Sequence, residues 1–519
     1  MRRHAQTAPD ARQRKLVLAA MCLALATVVS AVSSLNVAIP DVARDLQATQ
    51  TQLQWIIDAY AVVFAGLLLL AGAIGDAVGR KHVLLAGLVV FSVAAFCALF
   101  IDSASSLIVV RAVMGLGAAA IMPSTLSIIT NVFPVDERDR AVSVWAGVAG
   151  GSALLGLLVS GLLLEVFSWD SIFGFSALLG VVALITSARL APNSTASGVR
   201  LDVTGGVISA GGLAALVYGI IEGPERGWTD SLTLGAFAVA LVLLSAFVVW
   251  EMRREQPLLD PRLFRLRGFS AGTVSLTVQF LAFFGFIFVV LQYLQFVLGY
   301  SPLGAGVALA PMAVIVMALS PRVPKLLERF GPARVAPLGL LLMGGGFLVL
   351  SGAGVDSGYL RLLGGLLLLG VGMAFATIPA TTAIVSSLPQ AKQGVASAVN
   401  DLAREVGGAL GIAVLGSALT GRYESGVSDA AGRLPPELAG HARDALPAAL
   451  AIAERAGPQG ANLASAAQSA FVDGFDLAML IAAASVALAA VFVFWRAPRE
   501  AAVTDRTPNP VSRAQLEAD

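Results

Sequence analysis

The chain has 519 residues, of which 57% are hydrophobic and only 13% charged, with a mean hydropathy of +0.82 and a net charge of +1. Soluble globular domains carry about 25% charged residues, so this composition excludes that class and describes a polytopic membrane protein. The basic residues are scattered among loops and form no stripe for a nucleic acid.

Cys22 and Cys97 fall inside apolar runs and read as small hydrophobes. His4, His82 and His441 are isolated and lack metal-ligand spacing. With no nucleophile–base pattern either, no metal, no cofactor and no enzymatic activity are expected. Arginine outnumbers lysine 30 to 4, a codon bias that points to a GC-rich bacterial source.

A helix needs about 20 apolar residues to cross the hydrocarbon core, and runs of that length divide the chain. Residues 1–15 form a polar N-terminal tail with five basic residues, and the apolar run that follows lacks a small-residue cleavage site, so the tail is expected to be retained. Residues 16–188 hold six spans: 16–38, 53–75, 83–101, 107–130, 140–163 and 171–188. Two more, 203–221 and 232–250, make up a 203–250 insert. Residues 268–495 hold the last six, at 268–298, 303–320, 335–353, 360–388, 395–420 and 475–495. The segment 421–473 between the final two is polar and alanine-rich, is expected to be partly helical and extracellular, and provides no spanning element, so export should survive its replacement. Residues 496–519 are polar with Pro508 and Pro510 and are expected to be disordered.

Fourteen spans return both termini to one side of the membrane. The tails and loops on that side hold 25 Lys and Arg, against Arg44, Arg226 and Arg361 in the short loops opposite. The segment 421–473 carries four more, where the rule has little force. Short loops rich in positive charge stay in the cytoplasm, which places both termini inside, in a bacterial inner membrane.

Between spans two and three runs Gly72-Ala-Ile-Gly-Asp-Ala-Val-Gly-Arg-Lys81, a charged interruption with glycines for tight turning. Gly72, Asp76, Gly79, Arg80 and Lys81 resemble the span-two to span-three signature of major facilitator superfamily transporters, with Ala77 where that family has an arginine. A six plus two plus six arrangement is similar to the fourteen-span drug:proton antiporters of that superfamily. Asn36-Val-Ala-Ile-Pro40, Trp55-Ile-Ile-Asp-Ala-Tyr60, Arg111-x-x-x-Gly115-x-Gly117, Ile221 to Trp228, Gln292 to Pro302 and Gly407-Gly408 extend the resemblance over most of the chain. The fold class it implies is all-α: the major facilitator fold, two six-helix halves plus two extra central helices. The hairpin would latch the cytoplasmic side when the outer side is open, with Asp76 accepting hydrogen bonds from a neighbouring helix start. Partners would be a small-molecule substrate, protons and the lipid bilayer, and a monomer is expected.

A charge inside a span costs at least a few kcal/mol, so each one needs a partner or a task. Asp58 in span two reads either as a proton carrier or as a carboxylate in contact with outer water. Arg111 matches the span-four arginine that the resemblance links to proton transfer; near Asp58 it would favour the charged carboxylate, while burial favours the protonated one. A structural ion pair is the plainer reading. Asp401, Arg404 and Glu405 share a face of span thirteen by their i, i+3 and i, i+4 spacing and are expected to neutralise one another.

Phe280, Phe283, Phe284 and Phe288, followed by Gln292 and Gln295, line one side of span nine. The stripe suits amphipathic or cationic organic molecules, with Phe284, Phe288, Gln292 and Gln295 as cavity candidates, and reads equally well as helix packing. Span five lacks the family's proline but keeps two small-xxx-small pairs, Gly147/Gly151 and Gly156/Ser160, for close helix approach. Span one has Ala31 where the family has an aspartate, so one carboxylate that could carry a proton is absent. The leading reading is a secondary exporter of hydrophobic drugs, antibiotics or metabolites exchanged for protons. A facilitator or lipid-linked exporter without proton coupling and a membrane sensor or scaffold are the alternatives.

Overall fold

The computed structural model describes residues 10–195, 201–255, 257–388 and 393–497. Every regular element among them is helical. The first group is α1 (Ala11–Asp45), α2 (Gln50–Val78), α3 (Arg80–Cys97), α4 (Ala104–Val132), α5 (Val135–Leu164) and α6 (Ser171–Leu190). A hairpin follows, α7 (Val203–Arg226) and α8 (Ser231–Arg253). The remainder comprises α9 (Arg267–Gln292), α10 (Pro302–Leu319), α11 (Val323–Phe330), α12 (Pro332–Ser351), α13 (Tyr359–Ser386), α14 (Gln393–Ala431), α15 (Pro436–Asp444), α16 (Leu446–Arg455) and α17 (Ala461–Arg496).

Thirteen helices among the described residues are long and apolar enough to cross a membrane. The 30-residue α5 has the length for the fourteenth, in keeping with the expected count. The chain is a multi-pass membrane protein. Boundaries depart from the apolar runs where polar residues extend a helix. Asp10 and Gln13 form a capping box that starts α1 five residues before Leu16, inside the expected tail. Residues 498–519, expected to be disordered, and residues 1–9 lie outside the described residues.

Helices α1 to α6 pack mutually, as do α9, α10, α12, α13, α14 and α17, and the two sets form the halves. Close helix approach is achieved where a glycine meets a backbone. A Cβ on Gly407 would stand 2.3 Å from the Thr277 carbonyl oxygen, locking α14 onto α9. In α5 the Gly156/Ser160 pair grips α1, with Ser160 donating to the Ser34 carbonyl at 2.8 Å. Gly147 and Gly151 have no described atom within 4 Å of where a Cβ would sit, so among the described residues the first of the two small-residue pairs is not at a close helix approach.

The end of the bundle where α1 starts and α17 finishes is called the terminal end here, and its opposite the far end. The halves are joined by hydrogen bonds at the far end. Gln54 Nε2 of α2 donates to Thr420 Oγ1 of α14 at 3.0 Å, and Gln295 Nε2 donates to the Val37 carbonyl of α1 at 3.0 Å. Nearby, Gly161 of α5 lies so close to Leu303 of α10 that a Cβ would be 2.7 Å from its Cα.

The segment 421–473 is almost wholly helical, and less of it is loop than expected. Helix α14 continues to Ala431, α15 and α16 follow, and α17 starts at Ala461. Leu446, Pro447, Ala449 and Ala453 are buried, and α16 packs on α17 and reaches α1. Tyr423 Oη donates to the Ala442 carbonyl at 2.8 Å, tying α15 back to α14. Alanine and leucine at helical spacing gave this segment an apolar face, and the bundle covers it.

Candidate functional site

Two residues along a helix turn the side chain by about 200°, so Ile56 and Asp58 of α2 look in nearly opposite directions. Arg111 of α4 takes the Ile56 side. Its Nε donates to the Ile56 carbonyl at 3.0 Å and its guanidinium carbon lies 4.3 Å from the centre of the Tyr60 ring, while Nη2 has no hydrogen-bond partner. The helices come this close because Gly115 abuts α2, where a Cβ would stand 2.4 Å from the Tyr60 carbonyl oxygen. Arg111 therefore holds α2 by its backbone and an aromatic face, and the expected pairing with Asp58 is not formed.

Asp58 is 0% exposed and neither carboxylate oxygen has a hydrogen-bond partner. It sits one helical turn from Gln54, hence on the face that meets α14 at the seam between the halves. On α14 the same face carries Ser417, whose Oγ donates to the Ile220 carbonyl of α7 at 2.7 Å, and Thr420, the partner of Gln54. An ionised carboxylate in such a place is costly and a protonated one far less so.

Asp401, Arg404 and Glu405 do lie within electrostatic reach of one another on α14. The Arg404 guanidinium stands 5.3 Å from the centre of the Phe280 ring, and its Nε has no hydrogen-bond partner. Asn400 Nδ2 donates to Asp401, and Thr381 donates to Asn400 Oδ1 at 3.0 Å. Glu405 also lies within electrostatic reach of Tyr60 in the other half.

The aromatic stripe divides. Phe280, Phe283 and Phe284 form a mutually contacting, half-buried cluster with ring centres 5.4 to 6.3 Å apart. Phe288 is buried, and Gln292 is buried with its amide donating to the Phe288 carbonyl at 3.1 Å. A π-helical turn over Tyr293–Val297 carries Gln295 to its bond with Val37. Of the four cavity candidates, Phe284 is half-buried, Phe288 and Gln292 are buried, and Gln295 takes part in the far-end seam.

In the charged hairpin, Gly79 has φ +127°, a region that favours glycine, and joins α2 to α3 without a gap. Asp76 accepts from Arg80 Nε at 2.8 Å rather than from a helix start, and Arg80 Nη1 donates to the Ser127 carbonyl of α4 at 3.2 Å. Lys81 Nζ donates to the Ala188 carbonyl of α6 at 2.7 Å. Gly72 packs near Pro123 of α4. With the halves joined at the far end, the hairpin is tied within its own half.

The sequence pattern of the Major Facilitator Superfamily matches residues 19–412. The chain belongs to that superfamily. This transporter is 32% identical to the tetracenomycin C resistance and export protein of Streptomyces glaucescens, over 95% of this chain and 94% of that one. It is 34% identical to the multidrug efflux pump LfrA of Mycolicibacterium smegmatis (88% and 91% covered) and 33% identical to the methyl viologen resistance protein SmvA of Salmonella typhimurium (88% and 93%). In fold it is similar to a bacterial homologue of the lysosomal transporter Spinster, solved in an inward-facing conformation, with a TM-score of 0.65 at 18% identity over 94% of this chain and 98% of that one. Transporters of this superfamily are not enzymes, in keeping with the absence of catalytic spacing in the sequence.

Gln54, Ser417 and Thr420 escaped the reading of the sequence because uncharged polar residues in a span draw little notice. The available signal was the Gln54/Asp58 pair at i, i+4, two costly groups on one face of one span.

Proposed function

We propose that this transporter exports hydrophobic organic molecules from the cytoplasm in exchange for protons by alternating access, with Asp58 as the main proton carrier. The observation that carries the reading is the Asp58 carboxylate, buried without a partner on the α2 face that meets the other half. The relatives' names, which speak of export of an antibiotic and resistance to drugs, support the substrate class. The bias of Lys and Arg toward the loops of the terminal end supports placing that end in the cytoplasm, so that the far end is the outer one and the structure is closed to the outside.

In this reading Asp58 takes a proton while the outer end is open, because closing α14 over an ionised and partnerless carboxylate is unfavourable. The proton leaves on the cytoplasmic side once substrate and water enter between the halves. Asp76 and its hairpin then latch the cytoplasmic end when the halves rock outward. The half-buried Phe280, Phe283 and Phe284 cluster beside Arg404 offers an aromatic wall for planar or cationic molecules.

One carrier implies about one proton per cycle by this argument. A monovalent cation is then exchanged electroneutrally, whereas a dication such as methyl viologen carries one charge outward at a cost of about 2.3 kcal/mol per 100 mV. Neutral and monovalent substrates are the preferred class. The test is export of ethidium from reconstituted vesicles with and without an imposed pH gradient. Export that follows the gradient supports exchange for protons; export indifferent to it identifies a facilitator without proton coupling.

A further inference from the structure

The insert α7–α8 touches both halves, but in two different manners. Against α2 it is packed flush. Cβ atoms on Gly66 and Gly206 would stand 2.8 Å from Ala210 Cβ and 3.0 Å from Leu70 Cβ. At the outer end Trp55 Nε1 donates to Glu222 Oε1 at 3.0 Å, Arg226 holds the other Glu222 oxygen at 2.8 Å, and the Trp55 and Tyr218 rings lie 6.0 Å apart. Against the outer part of α14 there is one short bond, from Ser417 Oγ to the Ile220 carbonyl at 2.7 Å. Beside it a groove of about 580 Å³ separates the helices, walled by Ile220, Pro224 and Trp228 on one side and Ser417 and Gly421 on the other.

Opening the outer end requires α2 and α14 to part, since Gln54 and Thr420 bridge them. Helix α7 must then stay with one and leave the other. Leaving α2 would expose the close approach of Gly66 and Gly206, an aromatic pair and a hydrogen bond to a carboxylate; leaving α14 breaks one hydroxyl–carbonyl bond beside the groove and parts the small Ala409 and Ala413 from the cluster they share with Leu213, Val217 and Ile221. Close packing of small residues is the main attraction between helices in lipid, so the second course costs less.

We infer that Gln54 of α2 and the Ile220 carbonyl of α7 form one jaw of the outer gate, and Ser417 and Thr420 of α14 the other, with the α7–α8 hairpin moving as part of the N-terminal half. The inference rests on the export reading above and adds to it the position of the gate and the body to which the insert belongs. Gln54 and Ser417 act as positioning residues. Gln54 Nε2 reaches Thr420, and the Ser417 oxygen lies 3.4 Å from Gln54 Oε1, so the gate is a polar seam directly above Asp58. Closing it seals the carboxylate from outside.

Two disulfides distinguish the possible partners of α7. Pro224 Cβ is 3.7 Å from where a Cβ on Gly421 would stand, close to the usual disulfide separation of about 3.8 Å. Oxidising Pro224→Cys/Gly421→Cys should lower ethidium export at least about tenfold, with recovery on reduction. Leu70→Cys/Gly206→Cys links α2 to α7, and its oxidation should leave export within about twofold of the reduced form. The reverse pattern, or export that persists through the Pro224→Cys/Gly421→Cys link, would overturn the assignment.

If the reduced proteins export nothing, the export reading fails and spin-label distances judge the gate by themselves. With ethidium added, labels at Thr229 and Arg422 should show a second, longer separation while labels at Gln47 and Thr229 keep one. A longer Gln47–Thr229 separation with an unchanged Thr229–Arg422 one contradicts the proposal. Ser417→Ala should raise the share of the longer Thr229–Arg422 separation; an unchanged share, even with a lower Tm, removes Ser417 from the gate.

Discussion

Arg111 and Asp58 show how much depends on the rotation of one helix. Both were recognisable in the sequence as charges inside spans that need a reason to be there. Their separation was not, because it follows from which face of α2 meets α4. Gly115 sets that contact. Gly115→Ala places a methyl 2.4 Å from the Tyr60 carbonyl oxygen, and forcing α2 and α4 apart should cost about 1–3 kcal/mol. A lower Tm in detergent together with impaired export is expected; an unchanged Tm would show that the helices separate freely. Asp76→Asn removes the ion pair with Arg80, and the protein should reach the membrane normally but export more slowly, through a less stable outward-open state. Undiminished export at equal expression would remove the latch role.

At the scale of elements, span lengths were legible because the bilayer fixes them, and the polar caps that lengthen α1 were not. The segment 421–473 was the least legible. Its polar, alanine-rich sequence suggested a partly helical and replaceable segment, whereas successive turns of α15 and α16 bury Ala439, Ala442, Leu446 and Ala449. Replacing it with a Gly/Ser linker would remove the buried Tyr423, Val427, Leu446 and Ala449 together with the contact of α16 on α1, so lower export is the outcome to expect from that variant. Leu446→Ala should cost about 2–5 kcal/mol and Tyr423→Phe about 1 kcal/mol through the lost bond to Ala442. Hydrogen exchange reads both, as faster exchange confined to α15 and α16. Equal protection in the variants would mean that the cap is held by other contacts.

In the whole molecule the six plus two plus six arrangement could be read from the spans, but not the way the insert is strapped. The linker after α8 is tied at one end by Arg262 to the Met252 carbonyl, and by Leu259 N–H to Glu251. At its other end Arg496 of α17 donates to Ser270 at 3.1 Å and to the Arg265 carbonyl at 3.2 Å. Such contacts between distant parts of the chain carry no local pattern. The same limit kept Gln54, Ser417 and Thr420 hidden, since each is unremarked within its own helix and acquires meaning only where α2, α7 and α14 converge over Asp58.

The central claim is that Asp58 carries the exchanged proton. Its most direct test is proton release evoked by ethidium from vesicles containing the wild type, Asp58→Asn or Asp58→Glu under an imposed pH gradient. The wild type should release protons, Asp58→Glu should release fewer, and Asp58→Asn should bind ethidium yet release none and lose the gradient dependence of export. Proton release from Asp58→Asn vesicles equal to that of the wild type would contradict the account and move the search for the carrier to Asp401 and Glu405.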